Sequence, residues 1–192
     1  MCGRYYVDDE TTKEIEKIVR QVNEKFSYKG DIYPTNKVPI IHNNKNCLSS
    51  SLMAWGFPNY AKKGVIINAR SETVKEKRTF SKAIMERRCA VPAAGFYEWD
   101  SSKSKIRFER GDNDILYMAG IWKKYEDEDK FVILTTNANE SMKDIHDRMP
   151  LVLEKGELDN WIFDDKSVDY ILNKTPTQLK QIRDYEQSRL PL

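Results

Sequence analysis

IRFERGDNDILYMAGIW, residues 106–122, holds two apolar runs on either side of a short polar segment. The runs Ile106–Glu109 and Ile115–Trp122 contain many β-branched and aromatic side chains, which favour β-strands. Between them, GDND at 111–114 consists of residue types that are typical of tight turns. The stretch therefore predicts a hairpin of two antiparallel strands.

Short apolar runs of the same kind recur on both sides of this stretch. Residues 3–7 have the pattern of a short strand, and turn residues separate the other runs, which are Val38–His42, Leu48–Trp55, Val65–Ile67, Ala94–Trp99 and Phe131–Thr135. Parallel βαβ units are not evident. Many short strands with a few helices among them predict an α+β domain with a mainly antiparallel sheet.

Two segments have the residue spacing of helices. Asp8 or Asp9 is a suitable N-cap for the first, whose apolar residues recur at intervals of three and four: Ile15, Ile18, Val19, Val22 and Phe26. The second helix is predicted over 80–88, because Phe80, Ile84 and Arg88 follow one another at intervals of four residues. Helical patterns return after Leu153, so we expect a helical C-terminal tail over 164–192.

Length and composition are those of an ordinary globular protein. The chain has 192 residues, of which 40% are hydrophobic and 32% are charged, which fits a single domain over 1–192. A formal net charge of +2 neither requires nor excludes a nucleic-acid partner. No run approaches the roughly 18 apolar residues of a membrane span, and nothing resembles a signal peptide. We therefore expect a cytoplasmic protein without a membrane partner.

Three cysteines and two histidines limit the redox and metal chemistry. The cysteines lie 45 and 42 positions apart, at Cys2, Cys47 and Cys89, and form no CxxC pair. An odd number without paired spacing argues against a disulfide framework. The histidines, His42 and His146, are also far apart, so the ligand spacing of a structural zinc site is lacking and no metal is expected.

Cys2 follows Met1 directly, and removal of that methionine would leave a cysteine at the N-terminus. The α-amine of such a residue has a pKa of about 7.7–8.0, so a useful fraction is neutral at physiological pH. Amine and thiol can attack one aldehyde together, since the amine forms an imine and the sulfur then closes a thiazolidine ring. The thiolate alone can also act as an acyl-transfer nucleophile.

Two later segments supply candidate proton carriers. In CAVPAAGFYEWD, residues 89–100, Glu98 stands between Tyr97 and Trp99, where partial desolvation suits a carboxyl group to proton transfer. In TTNANESMKDIHDRMPLVL, His146 is the side-chain type best suited to moving protons near neutral pH.

A third segment, INARSETVKEKRTF at 67–80, supplies candidate substrate contacts. Asn68 can orient a substrate group or polarise a carbonyl. Arg70 and Arg78 offer planar guanidinium forks that match the geometry of phosphates.

Taken together, these segments closely resemble the SRAP family, the SOS response-associated peptidases, also described as abasic-site processing proteins. The matching motifs follow the family's order over about residues 1–163: MCGRY, YPTNKVPII, WGFP, INARSETV, RRCAVPAAGFYEW, AGIW, LTTNAN and IHDRMPLVL. The ordered set is highly specific, although the tail from 164 matches less well. The resemblance implies a compact domain on a barrel-like sheet with flanking helices, a groove for single-stranded DNA, and no cofactor.

The resemblance also implies a role for each matching residue. Cys2 matches the nucleophile, Glu98 and His146 match the acid–base pair, and Asn68 matches the residue that positions the reacting sugar. Six further positions are implied in DNA binding: Arg4, Arg70 and Arg78 at phosphates, and Trp99, Pro34 and Met149 near bases or the abasic sugar.

The implied function is that of a monomeric sensor of abasic sites in single-stranded DNA, located in the cytoplasm and at the nucleoid when bound. An abasic deoxyribose opens to the aldehyde that an aminothiol needs, so Cys2 would form a thiazolidine cross-link that protects the site during the DNA damage response. The imine stage would also permit β-elimination, the reaction of an AP-lyase.

Two alternatives remain open from the residues. Cys2, His146 and Asn68 are the residue types of a Cys–His–Asn hydrolase, so the chain can also be interpreted as a thiol peptidase or autopeptidase. A noncovalent module that binds single-stranded DNA would need Arg4 and Arg70, together with Arg78, but would tolerate Cys2→Ala.

Overall fold

Sixteen β-strands and four short α-helices form the described part of the chain. The computed structural model describes residues 2–19, 21–22, 29–112 and 114–183. The strands are β1 Tyr5–Val7, β2 Gln21–Val22, β3 Gly30–Ile32, β4 Lys37–Asn44, β5 Cys47–Trp55, β6 Phe57–Pro58, β7 Val65–Ile66, β8 Asn68–Arg70, β9 Arg88–Ala93, β10 Gly95–Trp99, β11 Lys105–Arg110, β12 Leu116–Lys124, β13 Asp129–Asn137, β14 Arg148–Pro150, β15 Val152–Leu153 and β16 Leu179–Arg183. The helices are α1 Asp9–Ile18, α2 Ser81–Glu86, α3 Leu158–Phe163 and α4 Val168–Asn173.

The largest sheet closes on itself as a ring of five strands. Around the ring, β13 pairs with β12, β12 with β9, β9 with β4, β4 with β5, and β5 returns to β13. The β5–β13 contact is parallel and the other four are antiparallel. Strands β8 and β14 pair with the C-terminal half of β13. These pairings confirm the predicted α+β class and the mainly antiparallel sheet. The sheet closes through the ring of five strands.

A second sheet of five strands holds the N-terminal segment of the chain. Its order is β16, β11, β10, β1 and β3, and every pairing is antiparallel. In the centre, Tyr5 of β1 lies opposite Phe96 of β10 on one side and Ile32 of β3 on the other. The second residue of the chain is therefore anchored by strands on both sides of β1.

The ring strands are buried on both faces. Successive residues of β13 alternate between two apolar clusters, with Phe131 and Ile133 in one and Val132 and Leu134 in the other. The second cluster includes helix residues such as Trp161, whereas the first includes residues of the five-stranded sheet. Helices therefore cover one face of the ring and the second sheet covers the other. Burial of each large apolar side chain adds roughly 1.5–3 kcal/mol to the free energy of unfolding.

The predicted hairpin at 111–114 is wrong, although both of its strands exist. Strand β11 pairs with β10 and β16, whereas β12 pairs with β9, β13 and β15. The GDND segment therefore crosses from one sheet to the other, and its Asn113 lies outside the described residues. The reason is that β12 has ring neighbours on both edges, which leaves no edge for β11.

Both predicted helices exist but end earlier than expected. Asp8 caps α1, and its Oδ1 accepts a hydrogen bond from the Thr11 amide at 2.8 Å. Helix α1 ends at Ile18 because the chain turns to an extended conformation and Val22 joins β2, beside β5; Phe26 lies outside the described residues. Helix α2 ends at Glu86 because the next residues enter ring strand β9.

The tail predicted to be helical is helical only in part. After α4 the chain forms β16, which pairs with β11 at the edge of the second sheet, so the expectation of a helix is wrong for Leu179–Arg183. Residues 184–192 lie outside the described residues. Across the described ranges, no helix has the length and apolar character needed to span a bilayer.

Gly95 begins β10 where the backbone of β11 passes very close. A Cβ atom at this position would lie 2.5 Å from the carbonyl oxygen of Phe108 and 2.6 Å from the Tyr6 ring. We therefore expect Gly95→Ala to lower the free energy of unfolding by about 1–3 kcal/mol, the usual cost of overpacking. Urea-induced unfolding of the two proteins measures this difference.

Gly156→Ala is the matched control, because a Cβ atom there would meet no atom within 4 Å. We expect its free energy of unfolding to be unchanged or slightly higher, since alanine restricts the unfolded chain. An equal loss in both variants would contradict the view that close strand approach constrains Gly95.

Candidate active site

Cys2 and Asn68 are in direct contact. Cys2 precedes β1 and is completely buried. Asn68 begins β8, which runs parallel to β13 with Asn68 opposite Ile133. Its Nδ2 donates a hydrogen bond of 3.0 Å to the carbonyl oxygen of Cys2. The ring thus holds the main chain of Cys2 through the side chain of Asn68.

Glu98 reaches Cys2 through the pairing of β1 with β10. Tyr5 lies opposite Phe96, and the Tyr97 amide donates to the Arg4 carbonyl at 3.0 Å. When this register is continued by two residues on each strand, Glu98 lies opposite Gly3, which is next to Cys2. The Glu98 side chain is buried, with 5% exposure, and its charge acts on the Cys2 thiol.

The environment of Cys2 keeps its thiol protonated. Burial raises the pKa of the Cys2 thiol far above its ordinary value of 9.0, and the negative charge of Glu98 raises it further. The Sγ atom lies 3.8 Å from the Arg4 carbonyl oxygen, toward which the thiol points its hydrogen. A thiol of this kind is a poor nucleophile until a base removes its proton, and Glu98 is the buried carboxyl group beside it.

His146 lies in the turn between β13 and β14. Its Nδ1 is 2.9 Å from the Arg148 amide nitrogen and 2.8 Å from Asp147 Oδ1. A neutral ring accepts a hydrogen bond from the amide, whereas a protonated ring donates to the carboxylate, so each protonation state has a partner. The neighbouring Ile145 packs against the apolar cluster that contains Cys2. Packing of Ile145 therefore holds the turn that carries His146 against this cluster.

A partly buried ion pair fixes the segment that follows Asn68. Arg148 is 6% exposed, and its two terminal nitrogens bond both carboxylate oxygens of Glu72 at 2.6 and 2.8 Å. The same guanidinium donates to Asn137 Oδ1 and to the Thr135 carbonyl, each at 2.7 Å. The bond from Arg148 lowers the pKa of Glu72. The pair joins β14, which follows His146, to the loop after β8.

Arg4 is held between two aromatic rings at the surface. Its guanidinium carbon lies 4.5 Å from the centre of the Tyr33 ring and 5.0 Å from that of the Trp99 ring. Nη1 also lies 3.7 Å from Asp31 Oδ2. Tyr33 and Trp99 are 43% and 36% exposed, so their rings remain accessible beside the charge. We call Arg4, Tyr33 and Trp99 the arginine stack; partly buried Pro34 follows Tyr33 directly.

The remaining predicted DNA contacts occupy different environments. Arg70 is exposed at the end of β8, and its charge helps to lower the pKa of Glu72. Arg78 is exposed in a turn before α2. Met149 has no exposed surface, and its sulfur accepts a bond from the Asn139 amide at 3.4 Å. The expectation that Met149 offers a surface to DNA is therefore wrong, because β14 directs it into the core.

Two parts of this site were not predicted from the sequence. Tyr33 was missed, although it stands directly before Pro34 in a quoted motif. The ion pair between Arg148 and Glu72 was also missed, because the two residues lie 76 positions apart. Within the described ranges, no group of three or more His, Cys, Asp or Glu side chains is arranged to hold a metal ion.

Comparisons with known proteins agree on one family. The family model described as SOS response associated peptidase (SRAP) matches residues 1–188. The abasic site processing protein YoqW of Bacillus subtilis (strain 168) is 33% identical, over 84% of this chain and 80% of its own. The abasic site processing protein YedK of Escherichia coli (strain K12) is 26% identical, over 84% of this chain and 79% of its own.

Solved structures show the same fold. A protein from Bacteroides thetaiotaomicron superimposes with a TM-score of 0.81 at 21% identity, covering 95% of this chain and 91% of its own. A protein from Bordetella bronchiseptica gives a TM-score of 0.79 at 24% identity, covering 95% of this chain and 99% of its own. At these identities the likeness establishes the arrangement of strands and helices alone.

The buried thiol of Cys2 should react slowly with alkylating reagents. Since its pKa is raised and thiolate is the reactive form, the rate of iodoacetamide modification should keep rising with pH beyond 9.0, the ordinary pKa of a cysteine. Partly exposed Cys47 is the internal comparison, and we expect it to be labelled first at neutral pH. Peptide mass mapping after timed labelling separates the two sites. Labelling of Cys2 as fast as Cys47 would contradict the burial and electrostatics described here.

Proposed function

This chain belongs to the SRAP family, and on that basis we propose that it captures abasic sites in single-stranded DNA through a covalent bond to Cys2. The observation that carries the proposal is the convergence of Asn68 and Glu98 on Cys2, with the Asn68 bond at 3.0 Å. Its curated relatives are named abasic site processing proteins, which supports DNA as the partner.

The first step joins the α-amine of Cys2 to the abasic sugar. Loss of Met1, which lies outside the described residues, exposes the amine. The Glu98 carboxylate takes the proton of the sugar's anomeric hydroxyl and returns it to the ring oxygen as the ring opens to its aldehyde form. The neutral amine adds to the aldehyde carbon, and the carbinolamine loses one water to give an imine. The amine reacts first because its pKa is near neutrality whereas the thiol stays protonated.

The second step closes the thiazolidine ring. The Cys2 sulfur bonds to the imine carbon, and its proton passes to the carboxylate of Glu98. Glu98 then delivers that proton to the former imine nitrogen, which becomes a secondary amine. The overall reaction therefore consumes one aldehyde and one aminothiol and releases one water. Burial of the adduct would protect the site during the DNA damage response.

Asn68 and His146 have supporting roles in this proposal. The Asn68 Oδ1 atom is buried without a hydrogen-bond partner among the described residues, so it can accept a bond from a sugar hydroxyl. His146 would carry the proton that leaves or returns when the adduct reverses, since both of its protonation states have partners. Abstraction of a proton from the sugar carbon next to the imine carbon would expel the phosphate on the following carbon by β-elimination, so AP-lyase activity is part of the proposal.

The arginine stack would hold the DNA strand near Cys2. Its exposed rings offer π-faces to flanking bases, and Arg4 offers charge to a phosphate. Arg70 and Arg78 would contact further phosphates, which makes binding insensitive to sequence and sensitive to salt. Pro34 would support a base from its position beside Tyr33.

We further propose that residues 1–192 act as one domain, because β16 from the tail pairs with β11 of the second sheet. A monomer in the cytoplasm, associated with the nucleoid when it is bound to DNA, suffices for this function. No cofactor enters any of its steps.

The alternative of a thiol peptidase has less support in the geometry. In a Cys–His–Asn hydrolase the asparagine orients the histidine. Here the Asn68 amide donates to the main chain of Cys2 instead. The buried, protonated thiol also lacks the low pKa of a protease nucleophile.

The direct test mixes the Met-processed protein with a single-stranded oligonucleotide that contains one abasic site. Intact mass after denaturation should show an adduct equal to the two masses less one water. Cys2→Ala should abolish the adduct, and Glu98→Gln should slow its formation by about 10²–10⁴-fold, the usual contribution of a general acid–base group.

Cys47→Ala is the matched control, and it should form the adduct at the unaltered rate because Cys47 lies outside the site. Circular dichroism confirms that each variant is folded. A folded, Met-processed protein that forms no adduct would overturn the proposal, as would an adduct that persists in Cys2→Ala.

A further inference from the structure

The WGFP segment at 55–58 has no role in the proposed reaction, although it lies close to the site. Its first residue, Trp55, ends ring strand β5, is completely buried and belongs to the same apolar cluster as Cys2. A buried tryptophan places its single N–H on an acceptor, because an unbonded buried donor costs free energy. Here the acceptor is the main chain directly before Asn68.

The Ile67 carbonyl oxygen accepts two hydrogen bonds. Trp55 Nε1 donates one of 3.0 Å, and the amide of Ile133 in β13 donates the other, of 3.1 Å. Because the atoms of a peptide group lie in one plane, donors that hold this oxygen also hold the nitrogen and Cα atoms of Asn68. The indole and β13 together therefore fix the start of β8, from which the Asn68 side chain reaches the Cys2 carbonyl.

The same indole packs against the strand that follows Cys2. Its ring centre lies 5.2 Å from that of Tyr5 in β1, and 6.4 Å from that of Phe131 in β13, to which it is nearly parallel. Aromatic pairs of this kind contribute more than their buried area alone. Trp55 therefore contacts both of the segments that meet in the bond between Asn68 and Cys2.

Gly56 brings the chain close to the segment that precedes Asn68. Its φ is +121°, in the region that favours glycine, and a Cβ atom there would lie 2.7 Å from Val65 Cγ2. Beyond this point β6 and β7 pair as a short hairpin. The bond from Trp55 to the Ile67 carbonyl thus joins the two ends of this hairpin at its base.

We propose that Trp55 is a positioning residue for the abasic-site reaction, which acts through Asn68 and does not touch the DNA itself. Its indole N–H holds the peptide before Asn68, so that Nδ2 meets the Cys2 carbonyl and Oδ1 is directed to the sugar. The inference rests on the proposed function for the reaction, but the placement of Asn68 can be measured without DNA.

Trp55→Phe tests this role because it removes the indole N–H and keeps an aromatic ring beside Tyr5. The Ile67 carbonyl retains its bond from Ile133, so β8 stays paired with β13 and the protein folds. The main-chain bonds of Trp55 to the turn at 33–36 are also kept, and this turn carries Tyr33 of the arginine stack.

Trp161→Phe is the matched control. Trp161 is equally buried, and its Nε1 donates a bond of 2.8 Å to the Cys89 carbonyl, so the substitution removes the same kind of bond. Trp161 belongs to the apolar cluster on the helical face of the ring, whereas Cys2 belongs to the other cluster. Both variants should lower the urea midpoint of unfolding by similar amounts, and circular dichroism confirms that each is folded.

The two variants should differ in reaction rate but not in DNA binding. Adduct formation with a single strand that contains one abasic site should be about tenfold slower in Trp55→Phe, as expected for one lost positioning bond, and unchanged in Trp161→Phe. A strand with a ring-closed tetrahydrofuran analogue has no aldehyde and reports binding alone. Its affinity, measured by fluorescence anisotropy, should be unchanged in both variants.

A double-mutant cycle with Asn68→Ala tests whether Trp55 acts through Asn68. When Asn68 is already alanine, adding Trp55→Phe should change the rate of adduct formation by less than about twofold, because the side chain that it positions is gone. A slowing as large as in the native background would overturn the inference. A native rate in Trp55→Phe alone would also overturn it.

The side-chain amide of Asn68 reports its placement without any DNA. In the native protein its proton bonded to the Cys2 carbonyl should exchange slowly with water, and Asn68→Ala identifies the NMR signal. Exchange should be at least about fivefold faster in Trp55→Phe and unchanged in Trp161→Phe. Equal exchange in all three proteins would overturn the inference, whereas a native protein that forms no adduct would count against the proposed function alone.

Discussion

The antiparallel pairing of β1 with β10 is the interaction on which the site depends. It places a three-residue strand at the start of the chain inside the second sheet, so that Cys2 is buried rather than located at a frayed end. The same register carries Glu98 to the segment around Cys2. Asn68, which the ring supplies through β8, bonds Cys2 from another sheet. The site therefore exists because the two sheets pack face to face.

In the proposed function, burial determines the order in which the groups of this site react. A thiol tolerates the interior because it is neutral, and the adjacent carboxylate of Glu98 keeps it so. The site therefore has a protonated thiol, that of Cys2, next to the carboxylate of Glu98, and it has no permanent thiolate. This arrangement suits a reaction that begins at an amine and ends at sulfur. The Arg148–Glu72 pair meanwhile holds the loop after β8 against the strand that follows His146.

Local patterns predicted the elements better than their pairing. The runs around Val38–His42 and Phe131–Thr135 became strands because residue type and alternation are local properties. The hairpin at 111–114 failed because the partners of β12 depend on which distant strands need an edge. Cys2, Asn68 and Glu98 were predicted by residue chemistry and by family resemblance, and the structure brings the three together. Tyr33 and the burial of Met149 had no local signature, because the face that a short strand buries is set by the sheet opposite.

The most direct test of the account compares two forms of the protein that differ only at the α-amine of Cys2. One form has a free amine after removal of Met1, and the other is acetylated there. Both receive the same single strand with one abasic site, and adduct mass is followed with time. We predict a stable adduct, lighter than the summed masses by one water, in the free form and none in the acetylated form. Equal adducts in both would contradict it, because the thiol alone would then be the reacting group.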